Sequence, residues 1–313
     1  MNEVKLEHTD ILVRYPSIDY FLDKIRSGKP YYFIKINHGI IDAYVETYQS
    51  KGRVNRLVNL LQQKEYRKIA EEVYKDFAEA KWGFKYYNLE SDTVVDKLEI
   101  FTKVFFEYKN NIPKLEMGIS AGTGLGDVFG TYPSNHPTQI GRFKILKLAT
   151  ELNLETEYFH SGLFKHYSVM GEADKLFQTT NECGYDVVML GPSYLRLFKE
   201  RFNINNFHHI VIPPKGAIDY LDEYIDELLE IHNNKTLFLS SCGHILSTYI
   251  LDNIKDTNII GMDMGRSFDW DVRDKQETEP TMASGDVWIS PHHKNEIHYK
   301  EYIKNLRNGK RSL

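Results

Sequence analysis

Cysteine is scarce in this chain, with only Cys183 and Cys242 among 313 residues. The two lie in different segments with no metal-type spacing, which argues against a disulfide and reads as thiols buried in a reducing compartment. Long apolar runs are also missing. No stretch approaches the roughly 18 residues that a membrane-spanning helix needs. The N-terminal MNEVKLEHTD lacks the apolar region of a secretory signal. The expectation is a soluble, cytoplasmic protein with no membrane partner. There is no excess of positive charge either: 39 Lys and Arg stand against 44 Asp and Glu, for a net charge of -5. No chain-wide field therefore steers it to a phosphate backbone, and net charge does not indicate nucleic acid as a partner. One basic cluster, Lys304, Arg307, Lys310 and Arg311, reads as a solvated tail. No internal repeat or low-complexity segment is visible.

What is present is an alternation of helical and strand signals. Ile18, Phe21, Leu22 and Ile25 recur at helical spacing behind Ser17, a candidate N-cap, and Gly28 and Pro30 close the helix. YYFIKI (31–36) is an apolar, β-branched and aromatic run that predicts a buried strand. NHG turns the chain, and IIDAYVETY opens a helix. Residues 50–115 show helical periodicity and read as a helical insertion or cap. Residues 116–145 are rich in Gly, Ser, Thr and Pro and read as a loop or lid. Strands are then expected at 185–190, 208–213, 235–240 and 257–264, with helices between them. This pattern predicts a single α/β domain over 1–313, with a Rossmann-like, mostly parallel sheet flanked by helices.

In such a sheet the turns after the strands share one edge, where ligands of open α/β folds bind. They carry Gly191 and Pro192; Lys215; Ser240, Ser241, Gly243 and His244; and Gly265, Arg266 and Asp269. Glycine lets the backbone approach a ligand, and helix N-termini offer free N–H groups to phosphate. Asp263 follows a buried strand, where a carboxylate is costly unless it has a partner or a task. Arg266 is either a ligand contact or simply that partner. His38 and Asp42 lie four apart at a helix start beside Asn37. They can act as acid and base, hold a metal or bind a sugar, or Asn37 and His38 merely cap the helix. Trp270 and Trp288 form either a sugar-stacking wall or a core edge. GTGLGD (122–127) fits neither phosphate-loop pattern and reads as a mobile substrate-side loop to which Asp127 and Arg142 contribute. The remaining histidines, among them His160 and His166, show no metal-ligand spacing.

The stretch SIDYFLDKIRSGKPYYFIKINHG resembles the N-terminal segment of the GT-D-fold glycosyltransferases, in which a helix leads to a strand ending in an R-F-G-D-G-E-like turn. The later series VVMLGPSYL, IVIPPKGAIDYLDEY, LFLSSCGHI and IIGMDMGRSFDWD is similar in order and short motifs. The likeness covers about 15–45 and 185–270. It implies a Rossmann-like domain, a nucleotide-sugar donor and often a divalent metal, manganese or magnesium. Where the family has Asp-Gly-Glu, this chain has His38, Gly39 and Ile40. Lys35 replaces the arginine, and Asp42 lies two residues beyond the lost glutamate. The expected activity is transfer of a sugar from a nucleotide-diphosphate donor to a glycan, protein or modified nucleobase. His38, Asp42 and Asp263 are the catalytic candidates. Lys35, Lys215 or Arg266 would offset the diphosphate charge. The alternative is a nucleotide- or glycan-binding module that has lost catalysis.

Overall fold

The computed structural model describes residues 2–5, 12–36, 38–79, 93–111, 115–119, 137–152, 158–213, 216–233 and 235–272, together with 300, 301, 304, 307 and 308. Along the chain the strands are β1 (Asn2–Lys5), β2 (Leu12–Tyr15), β3 (Tyr31–Ile36), β4 (Leu115–Ile119), β5 (Tyr158–His160), β6 (Asp186–Gly191), β7 (Phe207–Val211), β8 (Thr236–Ser240) and β9 (Ile260–Asp263). They form one sheet in the order β1-β2-β5-β4-β3-β9-β8-β6-β7. Only β1 runs antiparallel, against β2; the other pairings are all parallel. The helices are α1 (Asp19–Ser27), α2 (His38–Tyr44), α3 (Val54–Gln62), α4 (Tyr66–Glu79), α5 (Thr93–Asn111), α6 (Pro137–Leu152), α7 (Leu163–Val169), α8 (Ala173–Glu182), α9 (Phe198–Arg201), α10 (Leu221–Ile231), α11 (His244–Ile254) and α12 (Asp269–Val272). This is the expected α/β architecture.

A parallel sheet buried on both faces needs apolar side chains on both, and the strands supply them. In β3, Tyr32, Ile34 and Ile36 enter one core while Tyr31 and Phe33 enter the other; β6 divides Val188 and Leu190 from Val187 and Met189 in the same way. Residues of α2 to α6, α10 and α11 fill the first core, and those of α1, α7, α8, α9 and α12 the second. The split follows from chain direction. Steps from β3 to β4, β4 to β5, β7 to β8 and β8 to β9 all run one way across the sheet. Those from β2 to β3, β5 to β6 and β6 to β7 run the other way. Right-handed crossovers put opposite steps on opposite faces. The helical stretch α3–α5 shares the first core; Tyr44 of α2 meets Phe101, Phe105 and Phe106 of α5 there and bonds Thr102 Oγ1 at 2.8 Å.

Local signals hold in part. Helix α1 ends at Gly28, whose φ of 62° is the left-handed cap that glycine adopts readily. Ser17, however, does not cap it: its hydroxyl turns to the Asp19 carboxylate at 3.3 Å, and no side chain caps the helix. β4 and β5 lie in the middle of the sheet although neither carried a strand signal, and β4 and α6 occupy the two ends of the stretch read as loop. The basic tail is not wholly solvated. Arg307 forks onto the Glu172 carboxylate at 2.7 and 2.8 Å and lies 5.8 Å from the Tyr167 ring. A guanidinium with a matched carboxylate and an apolar stem docks where a bare charge would stay in water. Cys183 and Cys242 are both free thiols, and burial pushes Cys242 up to about 12, which keeps it from acting as a thiolate.

Helix α11 approaches the sheet over Gly261 of β9. A methyl group there would stand 2.4 Å from Leu251 Cδ2 and 3.0 Å from Tyr32 Cδ1. Gly261→Ala should therefore cost about 1–3 kcal/mol by overpacking, read as a lower urea midpoint at unchanged slope. An unchanged midpoint would mean that α11 is not packed this closely.

Candidate functional site

The parallel strands β3, β9, β8 and β6 are neighbours, so the turns leaving them share one rim. After β3 and β8 the chain turns to the first core, and after β9 it turns to the second. The end of β9 is thus flanked by connections departing to the opposite face. Such a divergence opens a crevice at the carboxyl ends of the strands.

Asp263 ends β9 in that crevice, with its side chain 1% exposed. Its Oδ1 accepts the Gly265 N–H at 2.9 Å. Its Oδ2 is buried with no hydrogen-bond partner and faces His244 Nδ1 at 3.4 Å, itself a buried atom with none. A buried carboxylate with an unmet oxygen is destabilising unless a cation, donor or positive field offsets it. Two features face it here: the imidazole, and the start of α11, of which His244 is the first residue. Lys35, near the end of β3, reaches the same turn. Its Nζ lies 3.3 Å from the point a Cβ on Gly265 would occupy, and Asp263 Oδ1 lies 3.9 Å from that same point. Gly265 has φ of 49°, a backbone conformation that suits glycine, and a side chain there would press on the Lys35 ammonium.

The neighbouring turns brace this arrangement. Ser241 donates its hydroxyl to Gly265 O at 2.6 Å, and its N–H bonds Leu190 O at 2.7 Å, joining the ends of β9, β8 and β6. Gly191 permits that contact: a Cβ there would be 2.5 Å from Leu195 Cδ1 and 3.1 Å from Ser241 Cβ. Pro192, extended at ψ 157°, starts the 3-10 turn at 193–197. Ser240 is buried, and its hydroxyl is spent on Ser247 Oγ at 2.8 Å; it shapes the turn through its carbonyl, which receives the N–H groups of Met264 and Gly265. Gly243, at φ 92°, leads into α11, and Arg266 is exposed.

Asp42 of α2 is committed elsewhere. Its carboxylate takes a two-pronged bond from Arg142 of α6, at 2.5 and 2.6 Å, with the arginine almost wholly buried. Beside it Gly141 lets α6 sit against Val45, which a Cβ would meet at 2.6 Å. Arg142 and Asp42 thus fasten α6 to α2. Asn37, Lys215, the glycine-rich 122–127 with Asp127, and Trp288 lie outside the described residues, as do the side chains of His38, Asp269 and Trp270. On the same rim, past the ends of β2 and β5, Tyr15 OH and His166 Nδ1 of α7 are 2.5 Å apart, with the His160 ring tilted against that of His166 at 5.0 Å between centroids. Sequence reading set these histidines aside because only the three-residue β5 brings them together.

Among the described residues no group of three or more His, Cys, Asp or Glu side chains is placed to hold a metal ion. Among the described side chains, Asp263 and His244, with an ammonium beside the same turn, do not by themselves form a ligand set for a divalent cation. No described helix is long and apolar enough to cross a membrane.

No family model matches the chain, and no curated protein matches it. Two solved structures are similar in fold. One, described as the highly conserved domain of unknown function 1792 with a distinct glycosyltransferase fold, shares 12% identity over 91% of this chain and 94% of its own, at a TM-score of 0.47. The other, a selenomethionine-substituted structure of the same domain, shares 12% identity over 82% of this chain and 80% of its own, at 0.45. At that distance the functional reading stands on this chain's own residues.

Two outcomes separate support from function at this edge. Asp42→Asn should cost about 1.5–3 kcal/mol, because it unpairs a buried guanidinium. Asp263→Asn keeps the bond from Gly265 and removes an unmet buried charge, so its thermal midpoint should stay level or rise. A clear fall in the Asp263→Asn midpoint would make that carboxylate a structural group instead.

Proposed function

We propose that the chain is a glycosyltransferase that moves a sugar from a nucleoside-diphosphate donor to an acceptor on a glycan, a protein or a modified nucleobase. One observation carries the reading: a buried carboxylate with an unmet oxygen, an imidazole and an ammonium converge over Gly265 at the carboxyl edge of a parallel sheet. The costly step of such a transfer is departure of a diphosphate, which needs positive charge already in place. Lys35 and the start of α11 are suited to that work, and the bare glycine turn lets a ligand's phosphates approach the backbone. The resemblance of 15–45 and 185–270 to GT-D enzymes points the same way. No step is assigned to a metal.

A second reading, a binding module without turnover, draws on His38, Gly39 and Ile40 standing where those enzymes carry two carboxylates. Calorimetric titration with UDP, GDP and dTDP tests what the two readings share. One nucleotide should bind, and Lys35→Ala should weaken it by about 10–100-fold, the worth of one charge-assisted hydrogen bond. If none of the three binds, the transferase reading fails and only a glycan-binding module is left. Binding without slow hydrolysis of any matching nucleotide sugar would favour the second.

A further inference from the structure

We propose that His244 is the catalytic base of this transfer and that Asp263 is the group that positions it; the proposal rests on the reading of the crevice as a transferase site. Asp263 is too deeply buried to touch an acceptor itself. With its side chain 1% exposed, one oxygen held by the Gly265 N–H and the other facing the imidazole at 3.4 Å, it stands behind His244. His244 is 17% exposed. Its Nδ1 is sealed against Asp263, while its Nε2 makes no hydrogen bond among the described residues and is not one of the buried unbonded atoms. A carboxylate opposite Nδ1 selects the tautomer that carries its proton there, which leaves the Nε2 lone pair to accept one. The two atoms make no hydrogen bond at this geometry; catalytic hydrogen bonds are often long or misaligned before substrate tightens a site. Anchoring is firm: His244 opens an eleven-residue helix whose Ser247 N–H returns to Gly243 O at 2.9 Å. Lys35, a cation beside the Gly265 turn, suits the leaving diphosphate and not the proton.

The arrangement specifies a hydroxyl as the nucleophile. As the acceptor oxygen forms its bond to the sugar's anomeric carbon, its proton passes to His244 Nε2. The bond from that carbon to the diphosphate oxygen breaks, and the nucleoside diphosphate departs with the electron pair. A single displacement of this kind inverts the anomeric centre.

Two readouts on the full chain decide the matter. In long-range nitrogen–proton spectra of protein labelled at histidine nitrogen, with the His244 signals assigned by their loss in H244N, wild type should show the Nδ1-protonated tautomer. D263N should shift it toward Nε2 protonation. An Nε2-protonated His244 in wild type overturns the proposal even before a donor sugar is known. With the nucleotide sugar matching the nucleotide that binds, H244N and H244Q should each lose about 10²–10⁴-fold in turnover while affinity for the free nucleoside diphosphate is unchanged. Retained turnover in both variants overturns the base assignment and leaves the binding site standing. Absence of nucleotide binding in wild type removes the site reading instead.

Discussion

The organising constraint is burial of a parallel sheet on both faces. Each central strand must be apolar on both sides, and each connection must travel over one face before the next strand can lie parallel. Every parallel strand therefore ends on the same rim, and the order of crossovers decides where that rim opens. Here the departures from β3, β8 and β9 diverge at the end of β9. The carboxylate of Asp263 stands at that point because β9 ends there.

Close backbone contact is the second ingredient. Gly261 lets α11 lie down on β9, Gly191 lets the turn after β6 meet Ser241, and Gly265 lets Lys35 approach its turn. Each removes a side chain from a place where two elements need to touch. The result is a rigid edge: three turns tied by Ser241 and by the Ser240 carbonyl hold the polar groups with little freedom. Such preorganisation is what electrostatic catalysis requires, since charges that must swing into place lose their advantage to reorganisation.

Away from the crevice, ion pairs do structural work. Arg142 with Asp42 joins α6 to α2, and Arg307 pairs with Glu172 just before α8. These contrast with Asp263, whose Oδ2 has no hydrogen bond at all. A carboxylate engaged by an arginine fork has its lone pairs used; one left half-satisfied against an imidazole keeps chemistry available.

Local pattern was enough to establish the α/β class, the strands β3, β6, β7, β8 and β9, and the set of polar turns at their ends. Apolar runs, glycines and helical spacing are properties of neighbouring residues, so they survive in the sequence alone. Pairing is another matter. That Asp263 meets His244, that Asp42 is taken by Arg142 a hundred residues away, and that β4 and the three-residue β5 sit mid-sheet all depend on which strands become neighbours. Strand order comes from crossover direction and two-sided burial across the whole chain, and no window of sequence carries it.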